Sequence, residues 1–425
     1  MPVQIKKILF IFLSAISFST FALDAESTNA KIQAALDQTR IQNAAPAMQV
    51  SVSLPGEYAS RNFVSGTTKL NGKNKITTDS LFQIGSNTKA FVAVLILQLE
   101  TQGKLNINDP IDKYIDFSKH PTWPQEWQNV TIKQLLNMTS GIDNYTEDKN
   151  FIAEVTQNPD LHFTATQLIN IAAKHPDYFA PGKSWYYSNT DYILAGKIIE
   201  NVTGQTVTQN INEKLLGSTH LNLLNTHYAG ANNYSRNTNL HAVSSYDEYP
   251  GEEAKDESSK GLSWANSAGC MLSNTSDLTR WIRSLFSGKT LASQQLHEMK
   301  SLVCWSGSKT GCTLGQPVSS DGFGFALTEQ TTQSLGKVWI YEGSTLATDF
   351  IYYWIPSYDT VISVTADIRN DKNSPNKLAN KIVEILMQSR AWKNYRVLHS
   401  VPTLDASQLK TLQSTLKFPL KNKLT

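Results

Sequence analysis

One uninterrupted apolar segment constrains the fold more than any other feature of the sequence. Residues 90–97 read AFVAVLIL and carry no polar side chain on any helical face. A helix that is apolar all round is stable only when protein surrounds it on every side, and Gly103 marks its expected end. A chain of 425 residues is long enough to bury such a helix. We therefore expect it at the centre of a large core.

A nucleophile and a base stand at the start of this helix. Ser86 and Lys89 form a Ser-x-x-Lys motif, and a spacing of three places both side chains on one helical face. A serine hydroxyl becomes a good nucleophile when a base takes its proton, and a lysine is such a base once burial lowers its pKa. The start of a helix also offers backbone N–H donors to a developing oxyanion. The motif predicts acylation of Ser86 with Lys89 as the main base.

The Ser86 motif is distinguished by its position at the start of an apolar helix, because Ser-x-x-Lys also occurs elsewhere in the chain. None of the other copies opens a fully apolar helix. They begin at Ser306, Ser334, Ser374, Ser407 and Ser414.

A second motif, Tyr187-Ser188-Asn189, is the only Tyr-x-Asn in the chain. It follows the turn signal Pro181-Gly182, which predicts a loop. Tyr187 can relay a proton to a leaving group, and Asn189 can bind substrate and Lys89. Taken alone, such a tripeptide more often reflects a packed tyrosine followed by an asparagine that caps the next helix. Its functional interpretation therefore depends on Ser86.

Strand patterns occupy both ends of the chain, and helical patterns occupy its middle. Strands are expected at 47–54, 323–327, 338–341, 348–355 and 360–366. Helices are expected at 30–42, 131–138, 165–173, 191–202 and 375–389. This order predicts an α+β fold, in which N- and C-terminal segments complete one sheet and a mainly helical subdomain, roughly 105–260, is inserted between them.

The first residues resemble an export signal. Lys6 and Lys7 precede an apolar run at 8–22, which is short for a membrane span. We expect a signal peptide at 1–22, a hydrolase domain at 23–400 and a tail at 401–425; an uncleaved anchor is the alternative. Removal of both lysines changes the formal net charge from +2 to 0, which gives no electrostatic argument for nucleic acid or anionic lipid as a partner.

The three cysteines suggest different roles. Cys304 and Cys312 lie in a Gly/Ser/Thr-rich stretch, and an oxidising compartment would allow them to form a small loop-closing disulfide. Two unpaired loop thiols are the alternative. Cys270 has apolar neighbours and is expected to be a buried free thiol. The eight histidines lack the spacing of metal ligands, so no metal or cofactor is predicted.

These motifs resemble those of a known family, the penicillin-recognising serine hydrolases. It comprises class C β-lactamases, D-alanyl-D-alanine carboxypeptidases and family VIII-type esterases. The similarity covers roughly residues 30–390. Its ordered segments are 81–89 (LFQIGSNTK), 103–114 (GKLNINDPIDKY), 131–142 (TIKQLLNMTSGI) and 267–278 (SAGCMLSNTSDL). The resemblance implies the β-lactamase/transpeptidase-like fold, with an antiparallel sheet flanked by helices.

The third motif of this family, Lys-Thr-Gly or His-x-Gly, is altered here. By order along the chain it matches Tyr341-Glu342-Gly343-Ser344. The sequence Lys309-Thr310-Gly311 matches the motif letter for letter, but it comes too early in the chain to occupy the motif's position. We therefore interpret it as a coincidental match. The resemblance implies that Tyr341, Gly343 and Ser344 line the substrate site, with the Ser344 N–H completing an oxyanion hole. Tyr341 lacks the positive charge that helps members of this family bind a substrate carboxylate. Arg369 is a candidate to supply that charge. The alternative is that Arg369 is simply an exposed arginine at a strand end.

These patterns lead to three hypotheses about function. The first is an exported, periplasmic or secreted serine hydrolase, a D-alanyl-D-alanine carboxypeptidase or β-lactamase-like amide hydrolase of the cell envelope. The second is a carboxylesterase or other amidohydrolase on the same fold, which Tyr341 favours. The third is a catalytically idle protein that binds cell-wall peptide. In the first two the partner is a small molecule or peptide with an amide or ester carbonyl; the oligomeric state is not predicted.

Overall fold

The computed structural model describes residues 24–399, except 58, 159–160, 218–220, 231–245, 248–254, 257–260, 309–310 and 370–373. The expected signal peptide at 1–22 and tail at 401–425 lie outside the described residues.

Helices and strands are distributed along the described chain much as the sequence patterns indicate. The helices are α1 (24–42), α2 (Thr88–Thr101), α3 (Ile132–Leu136), α4 (Lys149–Gln157), α5 (Ala165–Ala172), α6 (Asn189–Thr203), α7 (Val207–Ile211), α8 (Asn266–Gly269), α9 (Thr275–Phe286), α10 (Ser293–Met299), α11 (Ser374–Gln388) and α12 (Arg390–Leu398). The strands are β1 (Ala47–Ser53), β2 (Arg61–Gly66), β3 (Phe82–Gln83), β4 (His227–Tyr228), β5 (Tyr246–Asp247), β6 (Lys255–Asp256), β7 (Met271–Ser273), β8 (Leu302–Val303), β9 (Pro317–Val318), β10 (Thr328–Thr332), β11 (Gly336–Ser344), β12 (Asp349–Ile355), β13 (Thr360–Ala366) and β14 (Ile368–Arg369).

The main sheet has six strands in the order β10-β11-β12-β13-β1-β2, and all neighbours are antiparallel. β1 inserts between β13 and β2, with Val50 opposite Val364 and Phe63. The N-terminal segment thus completes a sheet that the C-terminal segments build. This confirms the predicted α+β fold with a mixed set of helices around an antiparallel sheet.

Two apolar layers cover the two faces of this sheet. On one face α1, α11 and α12 pack through residues such as Ile32, Leu378 and Trp392. On the other face the much larger layer contains α2, α6, α9 and the helices of the middle of the chain. α2 lies inside that layer, where Phe91 stacks on Trp281 with ring centroids 3.9 Å apart. Each large side chain so buried contributes about 1.5–3 kcal/mol to folding.

Two expectations about element bounds are corrected. The segment 323–327 is not a strand: Phe323 makes only isolated bridges, and Asp321 and Ala326 have positive φ, which interrupts extended pairing. The strand begins instead at Thr328. The first helix already includes residue 24, the first described residue, rather than beginning at 30. Asp24 accepts a hydrogen bond from the Arg390 N–H, which joins this part of the helix to α12.

Candidate active site

The turn that presents Ser86 is held against the edge of the main sheet. It runs from Gly85 to Asn87 and leads directly into α2. Gly85 has φ +49°, and a Cβ added there would lie 2.5 Å from the Ser344 carbonyl oxygen. Only glycine tolerates both the left-handed backbone and this close approach. The Ser86 side chain is therefore fixed at the junction of the helix and the strand.

Lys89 is fully buried one turn further along α2. Its Nζ lies 3.0 Å from Ser86 Oγ, 2.7 Å from Asn189 Oδ1 and 2.7 Å from the Ala268 carbonyl oxygen. A neutral amine has two N–H donors and one lone pair. The two carbonyl-type oxygens take the two donors, so the lone pair is left facing the Ser86 hydroxyl.

Burial sets the protonation state of this amine. Desolvation lowers the pKa of Lys89 well below its usual value, and the charge of Asp191 opposes that shift to a smaller extent. A lysine in such surroundings is largely unprotonated at a pH where an exposed lysine is charged. Lys89 thus meets the requirement for a general base next to Ser86.

Tyr187 approaches the same oxygen from the other side. Its hydroxyl donates to Ser86 Oγ at 2.6 Å, and its ring lies 4.9 Å from Lys89 Nζ. Burial raises the pKa of Tyr187 to about 12, and the neighbouring hydroxyls of Ser86 and Tyr341 oppose that shift. Tyr187 therefore keeps its proton at neutral pH and can donate it to a leaving group.

Asn189 is the first residue of α6, and polar neighbours orient both its side-chain amide and its backbone. Its Nδ2 donates to Thr146 Oγ1 at 3.0 Å, and its backbone N–H donates to Asn144 Oδ1 at 3.0 Å. This leaves Oδ1 directed at Lys89. We call Ser86, Lys89, Tyr187 and Asn189 the helical wall of the site.

The opposite side, the strand wall, consists of Tyr341, Gly343 and Ser344 on β11. Tyr341 is fully buried, and its hydroxyl interacts electrostatically with that of Tyr187. A Cβ added at Gly343 would lie 1.9 Å from the Ile84 carbonyl oxygen, so the strand touches the nucleophile turn through bare backbone. The structure therefore brings all seven sequence-predicted residues of these two walls to one place.

The hydrogen-bond pattern of β11 exposes one donor. Thr345 N–H donates to the Thr348 carbonyl, which makes Ser344 and Asp349 a non-hydrogen-bonded pair whose backbone groups point away from each other. On the other edge, β10 pairs only as far as Ile340. The Ser344 N–H is thus directed away from β12 at the end of β11 that lies against the nucleophile turn, where an oxyanion donor is required. The Ser344 side chain is occupied elsewhere, because its Oγ donates to Asp349 Oδ1 at 2.6 Å.

Two contributors to the site were missed by sequence reasoning. The Ala268 carbonyl has no side-chain signal and can be found only from the fold. Asp191 is fully buried in the first turn of α6, accepts from Ser140 Oγ at 2.6 Å and influences the charge of Lys89. The sequence signal that could have identified Asp191 is an acidic residue within an otherwise apolar helical pattern.

Arg369 lies beside the strand wall. Its Nη1 donates to the Thr345 carbonyl at 3.2 Å, and the residue is partly buried rather than fully exposed. It therefore places a positive charge at the loop that follows Ser344.

The structure joins Cys304 and Cys312 in a disulfide and leaves Cys270 as a buried free cysteine. Of the sequence Lys309-Thr310-Gly311, the first two residues lie outside the described part, and Gly311 is exposed within the disulfide loop. Among the described residues, no group of three or more His, Cys, Asp and Glu side chains is placed to hold a metal ion, and none of their helices is long and apolar enough to cross a membrane.

Comparison with known proteins agrees with this geometry. Residues 29–385 match the model of the family described as Beta-lactamase. The chain belongs to the beta-lactamase family. This confirms the resemblance inferred from the sequence motifs.

Two curated relatives from this family match parts of the chain. Protein flp of Staphylococcus aureus (strain N315) is 31% identical over 247 residues, which is 58% of this chain and 45% of the relative. Penicillin-binding protein 4* of Bacillus subtilis (strain 168) is 33% identical over 145 residues, 33% of this chain and 29% of the relative. The matched regions thus span less than half of the length of these relatives.

Solved structures match over more of the chain. A D-stereospecific amidohydrolase from Streptomyces sp. has a TM-score of 0.65 and 25% identity, covering 80% of this chain and 94% of the other. The D-amino acid amidase of Ochrobactrum anthropi SV3, complexed with L-phenylalanine amide, has a TM-score of 0.70 and 23% identity, covering 87% and 99%. The second likeness shows the shared fold.

Proposed function

We propose that this beta-lactamase family member is a serine hydrolase that forms an acyl-enzyme on Ser86. One observation carries the proposal: a buried amine and a buried phenol both contact the same serine oxygen, at 3.0 and 2.6 Å. Covalent catalysis requires a nucleophile within hydrogen-bonding distance of a base, and a third group that orients the base. Here the third group is the Asn189 amide.

The geometry assigns a role to each group in the reaction. Lys89 accepts the proton as Ser86 Oγ attacks the carbonyl carbon, and the N–H groups of Ser86 and Ser344 bind the developing oxyanion. Tyr187 donates its proton to the leaving nitrogen or oxygen as the tetrahedral intermediate collapses. A water molecule then attacks the acyl carbonyl with the same groups acting in reverse.

As substrates we propose small amides related to D-alanyl-D-alanine peptides or β-lactams. The similarity to a penicillin-binding protein and to a D-stereospecific amidohydrolase supports an amide of this kind. Arg369 supports a substrate that carries a carboxylate, because its guanidinium lies at the loop after the oxyanion donor. We further propose that the protein is exported to the cell envelope, where such amides occur.

A carboxylesterase is the second candidate, and Tyr341 is the observation that favours it. This residue fills the position of the family's cation and is turned toward Tyr187. The strand wall therefore contributes no charge of its own for holding a substrate carboxylate. An ester without a carboxylate would lose little in such a site.

The decisive test compares the intact mass and turnover of the wild type with those of Ser86→Ala. The substrates are a chromogenic cephalosporin, a D-alanyl-D-alanine peptide and a p-nitrophenyl ester. The matched control is Ser306→Ala, since Ser306 begins another Ser-x-x-Lys but is exposed. We expect an acyl adduct and turnover in the wild type and the control, and neither in Ser86→Ala. Full activity in Ser86→Ala would refute the assignment, and a wild type that neither reacts nor turns over would favour the idle binding protein.

A further inference from the structure

The disulfide loop lies outside the catalytic contacts, yet its Trp305 packs against two aromatic residues that lie next to the two walls of the site. Trp305 directly follows Cys304 and is almost completely buried. Its ring meets Trp185 edge-on at a centroid distance of 5.6 Å and lies 6.0 Å from Phe323. Trp185 and Phe323 also meet, at 5.2 Å, so the three rings form a closed aromatic triangle.

Each partner of Trp305 leads to a site residue. Trp185 is two residues before Tyr187 in the segment that enters α6. The ring of Phe323 lies 6.2 Å from the ring of Tyr341, which interacts electrostatically with Tyr187. The aromatic triangle thus touches the helical wall through the backbone of one segment and the strand wall through a ring contact.

A second contact, made by Gly315 three residues beyond Cys312, joins the turn after the disulfide loop to the same segment. Gly315 has φ +78°, and a Cβ added there would lie 2.5 Å from the Ser184 carbonyl oxygen. Gly315 N–H donates to the Cys304 carbonyl at 2.8 Å, so the residue is tied directly to the disulfide. Backbone packed this closely transmits displacement, because protein interiors leave no space to absorb it.

We propose that the loop closed by Cys304–Cys312, together with the turn at Gly315 that follows it, is a positioning element for catalysis, in which Trp305 and Gly315 hold the segment 184–187 so that the Tyr187 hydroxyl reaches Ser86. Trp305 touches no reacting atom and acts only through Trp185 and Phe323. The proposal rests on the proposed function of Ser86 and adds a requirement that the motifs do not contain: an intact disulfide.

The disulfide loop and the turn that follows it offer a pair of glycine variants. Gly315→Ala, in the turn, places a methyl group against Ser184, whereas Gly311→Ala, in the loop, meets nothing within 4 Å. Because a small displacement of a catalytic group is costly to the rate, we expect Gly315→Ala to lower kcat about tenfold while KM stays within about twofold. Gly311→Ala should resemble the wild type. Equal effects of the two variants, or an unchanged kcat in Gly315→Ala, would overturn the proposal.

The disulfide is tested with Cys304→Ser/Cys312→Ser and with dithiothreitol on the wild type. Dithiothreitol supplies two electrons and two protons, so the S–S bond becomes two thiols while the reagent closes to its own cyclic disulfide. We expect about tenfold lower kcat in each case, at a temperature where far-ultraviolet circular dichroism shows a folded protein. Thiol titration verifies reduction; full activity in the reduced, folded protein contradicts the proposal.

One readout needs no substrate and separates this proposal from the proposed function. The coupled Trp185 and Trp305 rings should give a near-ultraviolet circular dichroism signal that is lost on reduction and in Gly315→Ala but kept in Gly311→Ala. An unchanged signal would refute the positioning role. A wild type without turnover on any amide or ester would refute the function of Ser86 alone.

Discussion

The helical wall and the strand wall meet at one serine, but they contribute different kinds of group. The helical wall acts through side chains: Lys89 and Tyr187 each contact Ser86 Oγ. The strand wall acts mainly through backbone, since Gly343 lies against Ile84 and the Ser344 side chain is bonded to Asp349. We infer that the chemical identity of residues matters on the first wall, whereas on the second wall their size and backbone position matter.

The largest effect is expected from loss of a functional group on the helical wall. Tyr187→Phe keeps the ring and removes only the proton donor, so kcat should fall about 100- to 1000-fold. The control is Tyr186→Phe, because the neighbouring hydroxyl bonds to Glu147 and not to Ser86. Steady-state hydrolysis of the best substrate measures both. A loss below tenfold in Tyr187→Phe would remove this residue from the proton transfer.

On the strand wall, added size should matter and a lost side chain should not. Gly343→Ala forces β11 away from the nucleophile turn and displaces the oxyanion donor, so kcat should fall about 100-fold. Ser344→Ala keeps the backbone N–H and should stay within about threefold of the wild type. Both are compared at matched folded fractions, established by thermal unfolding. A greater loss in Ser344→Ala than in Gly343→Ala would reverse our description of this wall.

Charge beside the strand wall should affect choice of substrate more than rate. Arg369→Gln is expected to lower kcat/KM about tenfold for a peptide that ends in a free carboxylate, and to leave its carboxamide analogue unchanged. Lys337→Gln is the control, since that cation lies on β11, the strand of the strand wall, but pairs with Glu329. Equal losses on the two peptides would show that Arg369 does not bind the substrate carboxylate.

The smallest expected effect concerns the pH dependence that the helical wall imposes. Activity requires neutral Lys89, so it should fall as the pH drops through the lowered pKa of this residue. Asp191 raises the pKa of Lys89, and Asp191→Asn should therefore move the acidic limb of the kcat/KM profile to lower pH by a fraction of a unit. Glu147→Gln, which alters a carboxyl bonded to Tyr178, is the control. A shift to higher pH would contradict the assigned direction.

The residues on α2 and α6 were predictable because local spacing fixes them. Ser86 and Lys89 share a helical face whatever surrounds the helix, and residues 90–97 demand burial whatever they pack against. The strand 360–366 was likewise evident from its β-branched residues and has the predicted bounds. In each case the cause lies within a few consecutive residues.

Other features depend on distant parts of the chain. The segment 323–327 has strand-like composition, but its backbone bends around positive φ values before β10 begins. No sequence pattern marks the Ala268 carbonyl, yet it accepts one of the hydrogen bonds that Lys89 donates. Such contacts arise from packing and leave no periodic trace in the sequence.

The sequence by itself determined the family and the sheet built from both ends of the chain, and it predicted the nucleophile with its base, because these follow from short-range spacing and from the burial of apolar runs. Tertiary structure alone decided where the Ser344 N–H points, which carbonyl accepts from Lys89 and how Trp305 reaches the segment before Tyr187. Those outcomes depend on the register of β11 and on close approaches of backbone, and both are set by long-range packing rather than by any local pattern.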